Sequence, residues 1–278
     1  MHILEVKLFK KEMLPIVLRR LIRSPAYFLF RLYVRLRCWH LDKMSSLLSN
    51  SNIQIPPALM RFRVSENVSS DVYLEVGKRS LEHIESVLVE CGKSLSEAET
   101  ILDFGCGCGR TLVWLKAAAY NARLFGTDVD QDAIAWGSIN LPGVTLCVNG
   151  AIPPLPFDTE SIDLVYSVSV FTHLDNDLQS LWLKELHRIT KTGGTVILTL
   201  HGESTWSDLP TKDQAELAYR GFLFKKSSKL KGLLPDWYHT AYHSETFVRH
   251  QVSTLFTVVK YKQRGFGYQD IVVLVRQA

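Results

Sequence analysis

The apolar positions of this chain change period several times, and each change marks an element. Leu14, Val17, Leu18, Leu21 and Ile22 recur at helical spacing, with Arg19 and Arg23 on another side. Pro25 interrupts the pattern. Residues 26–41 restart it with Tyr27, Phe28, Phe30, Tyr33 and Trp39 among Arg31, Arg35 and Arg37. Residues 45–51 are small and polar and Pro56-Pro57 follows, which reads as a linker. Residues 58–70 fit no period. Residues 71–91 predict a helix with Leu74, Leu81, Ile84, Val87 and Leu88 on its apolar face and Gly92 at its end.

From Thr100 the period alternates between strand and helix. Strands are predicted over 101–104, 123–127, 144–148, 162–168 and 195–200. Helices are predicted over 110–119, from Asp130 as N-cap through Asn140, and over 177–190. Such alternation means an α/β, doubly wound and mostly parallel sheet with helices on both faces. Residues 202–238 show no clean period and read as an insertion over the active site. Residues 244–251 then read as a helix, and 255–261 and 269–275 as two strands. The more apolar run Asp270-Ile-Val-Val-Leu-Val belongs inside the sheet. The predicted organisation is a basic amphipathic helical extension over 1–55 and one domain over 56–278, with 202–240 as its substrate-side lid.

Composition narrows the class. Of 278 residues 46% are hydrophobic, enough for a sizeable core. The net charge of +4 is uneven: residues 1–40 hold nine Lys or Arg against Glu5 and Glu12, and the remainder is slightly acidic. That describes a near-neutral enzyme with a basic arm, so no nucleic acid is expected as partner. The arm, residues 14–41, suits either a helix lying on an anionic membrane or one packed on protein with its arginines reaching water. Cys38, Cys91, Cys106, Cys108 and Cys147 are odd in number and scattered, which predicts free thiols and a cytoplasmic chain. No secretory signal or transmembrane run is evident.

The chemistry concentrates at Asp103-Phe-Gly105-Cys-Gly107-Cys-Gly109-Arg110, between a strand and a helix start. Glycines permit a tight turn and close approach of a ligand to the backbone. A dinucleotide loop reads G-x-G-x-x-G, but its third glycine would fall on Arg110 or Leu112, so that register fails. G-x-G-x-G preceded by Asp103 suits a ligand with an amino-acid moiety, its carboxylate on loop N–H groups. Asp128 ends the next strand about 20 residues on, where a carboxylate accepts from ribose hydroxyls.

These residues resemble the first motif of class I S-adenosylmethionine-dependent methyltransferases, and Gly126-Thr-Asp128-Val-Asp130 resembles their second. Pro154-Leu-Pro-Phe-Asp158, Ser161 through Leu174 and Glu185-Leu-His-Arg through Gly194 are similar to later segments of that family, over residues 70–278. The resemblance implies a Rossmann-like seven-stranded sheet with its last strand antiparallel, and S-adenosyl-L-methionine as cofactor. It implies that Asp103, Gly105 and Gly107 hold the methionine end and Asp128 the ribose; Gly109 and Arg110 of the same loop join the cofactor-binding candidates, Arg110 either meeting a carboxylate or simply starting its helix. Val129, Gly150 and Ala151 would flank the adenine, and Ser167 would face the methionine end. Asn149-Gly150 stands where the family often has an acid, which points to a backbone contact for the adenine amino group. Residues 55–63, Tyr238 through Ser244 and Gln269-Asp270 look like bacterial methyltransferases of glycan or small-molecule synthesis.

Methyl transfer to a hydroxyl gains from a base that titrates near neutrality. His201, at the carboxyl end of a strand, is one candidate; the alternative reading is a hydrogen-bonded strand-end residue. His239 and His243 are one turn apart if helical. With Glu203 these histidines form no compact ligand motif, and no metal is expected. The expected reaction is O-methylation of a small-molecule, sugar or lipid-linked bacterial metabolite. The alternative is a non-catalytic partner protein that keeps the fold and is recruited to a membrane or complex.

Overall fold

The structure, a computed structural model, describes residues 25–48, 53–65, 67–118, 121–226 and 238–278. The helix predicted around 14–22 lies outside them. Three helices lead: α1 (Pro25–Leu48), α2 (Ala58–Ser65) and α3 (Ser70–Glu90). The alternating part is β1 (Thr100–Phe104), α4 (Leu112–Ala117), β2 (Arg123–Asp128), α5 (Gln131–Asn140), β3 (Val144–Val148), β4 (Ile162–Ser167), α6 (Asn176–Ile189) and β5 (Thr190–Leu200). Then come α7 (Thr211–Arg220), β6 (Phe222–Lys225), β7 (Thr240–His243), α8 (Glu245–Val252), β8 (Phe256–Phe266) and β9 (Gln269–Arg276).

The main sheet has seven strands in the order β3-β2-β1-β4-β5-β9-β8. β1 to β5 run parallel, and β9 is antiparallel to both β5 and β8. This is the Rossmann-like methyltransferase fold, with the last strand reversed as expected. The order turns back between β1 and β4, and ligands bind beyond the carboxyl ends of strands at such a switch point.

Strand alternation divides the core. Leu102, Phe104, Val196, Leu198, Val272 and Leu274 face Trp182, Leu186 and Phe256. Ile101, Leu164, Ile197, Ile271 and Val273 face Ile84, Leu88, Leu112 and Leu115. Both faces are covered, so the strands read as continuous apolar runs. Each buried aliphatic side chain contributes about 1.5–3 kcal/mol relative to exposure.

The departures from the sequence reading have local causes. α2 forms in the stretch that fits no period because Asp42 Oδ1 of α1 accepts the Ala58 N–H at 2.8 Å, a cap from 16 positions away. α1 continues through the small polar run to Leu48. The segment after β5 is ordered too: a 3-10 turn (Glu203–Asp208), α7 and β6. Only Leu217 of α7 is buried, which leaves that helix without an apolar period; Gly221, at φ 73°, ends it. His243 ends β7 and His239 stands just before it, so the two are not on a helix. All five cysteines are free thiols.

Candidate active site

Gly105, Gly107 and Gly109 take φ values of 83°, 53° and 75°, the left-handed region that glycine enters without strain. Gly105 N and Cys106 N donate to Thr127 O at 2.8 and 3.0 Å, folding the loop onto the end of β2. A Cβ on Gly105 would overlap Val170 Cγ2. Gly107 N donates to Asp128 Oδ2 at 2.7 Å, and Asp130 N to Asp128 Oδ1 at 2.8 Å. Asp128 is half-buried; burial pushes its carboxyl up, while the Asp130 and Gly107 N–H groups pull it back.

Asp103 is buried beneath the loop. Burial pushes its carboxyl up to about 8; Asp128 acts in the same direction, and the Tyr166 hydroxyl and Arg110 guanidinium oppose it. Burial lowers Arg110 in turn, against the influence of Tyr73, Asp103, Tyr268 and Tyr238. Among the described residues, Thr127 Oγ1, Asn149 Oδ1 and Ser167 Oγ are buried without a hydrogen-bond partner. All three stand at or just past the carboxyl ends of β2, β3 and β4, where a ligand's polar groups would satisfy them. Val129 is half-buried and Gly150 and Ala151 are exposed on the outer side of the same edge. The loop after β3 is pinned from α6: Glu185 Oε1 accepts Leu155 N–H at 2.6 Å, and Arg188 donates to Phe157 O at 2.9 Å and Leu155 O at 3.2 Å.

One layer of the site comes from residues 55–73, whose only signal in the sequence is the resemblance of 55–63 and the upstream place of Tyr73, not a period. α2 lies over the glycine loop: Met60 Sδ is 3.7 Å from Cys108 Sγ, and Arg63 pairs with Asp130 at 3.1 Å. Tyr73 Oη, from α3, donates to Cys108 O at 3.4 Å. Ser169 is an omission. It holds φ 62° with its N–H on Thr199 Oγ1 at 2.7 Å and its hydroxyl on Gln269 Oε1 at 3.1 Å. No spacing rule singles out a serine for that conformation.

The structure separates the three candidate histidines by environment. β7 bridges the sheet edge: Ala241 N donates to Thr172 O at 2.7 Å, and His243 N to His201 O at 2.9 Å. His201 Nδ1 meets Ala241 O at 3.2 Å. A carbonyl only accepts, so Nδ1 carries the proton and Nε2 is the basic nitrogen of the neutral ring. The half-buried His201 ring lies between Tyr242 and Tyr268. His239 packs edge-on against Phe224, and its carbonyl accepts from His173 Nδ1 at 2.7 Å. His243 is fully buried on the Gln179 side chain, its Nδ1 without a partner, and burial drives its pKa down to about 3. That environment suits packing more than proton exchange with an acceptor. Among the described residues, no three His, Cys, Asp or Glu side chains are grouped to hold a metal.

Residues 102–198 match the family described as methyltransferase domain. Over 110 residues the chain is 34% identical to a curated protein of Encephalitozoon cuniculi named as a methyltransferase. That alignment takes in 38% of this chain and 47% of the relative, so the chain spans about half of the relative's length. Among solved structures, the PH0226 protein of Pyrococcus horikoshii superposes with a TM-score of 0.52 at 18% identity, over 72% of this chain and 91% of that one. A chain from the complex of the Haloferax volcanii Trm112 methyltransferase activator with a methyltransferase gives 0.52 at 15%, over 81% and 100%. An S-adenosylmethionine dependent methyltransferase of Mesorhizobium loti gives 0.50 at 13%, over 64% and 90%. These superpositions describe a shared fold.

Proposed function

We propose that this chain is an S-adenosyl-L-methionine-dependent methyltransferase acting on a hydroxyl of a small-molecule, sugar or lipid-linked metabolite. The observation that carries the reading is Asp128 at the end of β2, its carboxylate tied back to Gly107 of the glycine loop, inside the segment that matches the methyltransferase domain family. The catalytic domain in this reading is 56–278, with 202–240 on the acceptor side and 1–55 as an extension. The chain works in the cytoplasm.

Asp103, Gly105, Gly107, Gly109 and Arg110 hold the methionine end of the cofactor. Asp103 suits the ammonium, because a cation beside a buried carboxyl favours its charged form. Arg110 suits the carboxylate. Asp128 takes the ribose hydroxyls, Val129, Gly150 and Ala151 flank the adenine, and Ser167 faces the methionine end. When bound, the cofactor supplies a methyl group on a positively charged sulfur. The protein's part is to align the acceptor, exclude water and remove a proton. In this reading His201 Nε2 takes the acceptor's hydroxyl proton; what supports it is the contact of Nδ1 with the Ala241 carbonyl at 3.2 Å, which leaves Nε2 as the accepting nitrogen. His239, in contact with Phe224 and His173, is the second candidate base of this reading.

Calorimetric titration with S-adenosylmethionine tests the cofactor, and transfer of a labelled methyl group across a panel of hydroxyl acceptors tests the reaction. The expected result is saturable binding that Asp128→Ala weakens, with turnover on at least one acceptor. Absence of binding by the intact chain would sink the reading.

A further inference from the structure

α1 has two apolar faces, and the fold uses one. Val34 and Cys38, 8% and 3% exposed, pack with Ala58 and Phe62 of α2. On the opposite side Phe28, Leu32, Leu36 and Trp39 follow at i, i+4, i+8 and i+11, a single stripe along a helix of 3.6 residues per turn. They are 66%, 44%, 56% and 62% exposed, and Leu29 beside them is 61% exposed. A monomeric soluble helix buries its one apolar stripe and presents charge outward; a contiguous exposed stripe marks an interaction surface.

The charges around the stripe identify what covers it. Arg35 flanks it, Lys43 lies within it with Nζ 5.9 Å from the Trp39 ring centre, and Arg31 and Arg37 stand between the stripe and the packed face. The helix has one acid, Asp42, whose Oδ1 accepts the Ala58 N–H at the α2 contact. Bulky apolar residues with flanking cations and no outward carboxylate suit a surface that is apolar below and anionic above. Among the described residues, no helix is long and apolar enough to cross a membrane, so the helix would lie in the surface plane.

We propose that the outward face of α1 docks on the surface of a bilayer rich in anionic lipid. α2, the layer beneath α1, is also the layer over the glycine loop through Met60 and Arg63. A docked bilayer is therefore separated from α2, which covers that loop, by the thickness of α1, about 10 Å. Docking does not depend on the methyltransferase reading; if that reading also holds, an acceptor dissolved in or tethered to lipid is within reach.

The test floats the full chain with vesicles of phosphatidylcholine alone and with vesicles containing about 30% phosphatidylglycerol. The wild type is expected to float with the anionic vesicles, at least about ten-fold less with the neutral ones, and to be released by about 0.5 M salt. Leu32→Glu/Leu36→Glu is expected to lower flotation about ten-fold while leaving the melting curve unchanged. Leu29→Asn/Trp39→Gln is the second pair should the first fail to fold. Residues 1–24 are intact in both variants, so a loss reports on α1. Equal flotation of folded variants and wild type overturns the proposal, as does equal binding to neutral vesicles. A wild-type dimer in sedimentation that either variant converts to monomer also overturns it, because a second copy then covers the stripe.

Discussion

The Gly107 N–H donates to Oδ2 of Asp128 at 2.7 Å and joins the loop after β1 to the end of β2. The other carboxylate oxygen accepts Asp130 N at the start of α5. One side chain thus sets the loop's shape before any ligand arrives. Asp128→Ala removes both bonds. Hydrogen bonds to a charged group contribute about 1.5–3 kcal/mol each, so stability should fall by at least about 1.5 kcal/mol in urea unfolding. S-adenosylmethionine affinity should fall at least about ten-fold by calorimetry. Unchanged affinity would remove Asp128 from the site.

Gly105 and Gly92 separate steric from conformational cost. Both have positive φ, 83° and 68°, but a Cβ on Gly92 meets nothing within 4 Å, whereas one on Gly105 runs into Val170. Gly92→Ala should cost about 1 kcal/mol, the price of the left-handed conformation. Gly105→Ala should cost clearly more, roughly 2–4 kcal/mol, and abolish measurable cofactor binding. Thermal melts and titrations of the two variants check this; equal losses would mean that the Val170 contact is irrelevant.

The fold was legible wherever local pattern and tertiary demand agreed. The main-sheet strands through β5 and α5, capped by Asp130 from the adjacent position, follow from period and capping alone. α2 was illegible because its N-terminal cap comes from Asp42 in another helix, and no local signal stands in for it. α7 escaped notice because it buries one leucine. At the site, glycines and acids announced the cofactor edge through fixed spacing. Ser169 could not be found that way, since Thr199 and Gln269, 30 and 100 positions away, hold it. The histidines were visible as residue types, but burial and tautomer distinguish them, and only packing fixes those.

Asp103 gives the unliganded protein a pH dependence. Its folded carboxyl titrates near 8 and its unfolded one near 4. Between those values the folded state holds a proton that the unfolded state has released, so stability should decline as pH rises through this window. Asp128, also raised, acts in the same sense. Asp103→Asn should flatten the decline without removing it, as measured by urea unfolding from pH 5 to 8. A slope identical to wild type would contradict the buried, proton-holding carboxyl.

His243 acts in the opposite direction at lower pH. Its ring, near 3 when folded and near 6.5 when unfolded, takes up a proton on unfolding. Its contribution is intact above about 6.5 and is lost progressively as pH falls below that. Between about 4 and 6.5 the slopes from Asp103 and His243 oppose one another, so the wild-type profile alone is ambiguous. His243→Gln should remove the acid-side loss, and unfolding at pH 5 and pH 7 would read it. A variant that still loses as much stability at pH 5 would place the proton elsewhere.

His201 should separate from His243 in kinetics. Nδ1 donates to Ala241 O, which leaves Nε2 to accept the acceptor's proton. General-base catalysis contributes about 10²–10⁴-fold, so His201→Gln should lower kcat by that order. Cofactor affinity should stay within about two-fold, because the glycine loop and Asp128 are untouched. His243→Gln should leave kcat within about two-fold, its ring being fully buried. The two variants would exchange roles if His243→Gln lost kcat and His201→Gln kept it. The ordering of β7 would then matter for a different reason: it would carry a buried base, and the carbonyl of Ala241 would merely hold a bystander ring.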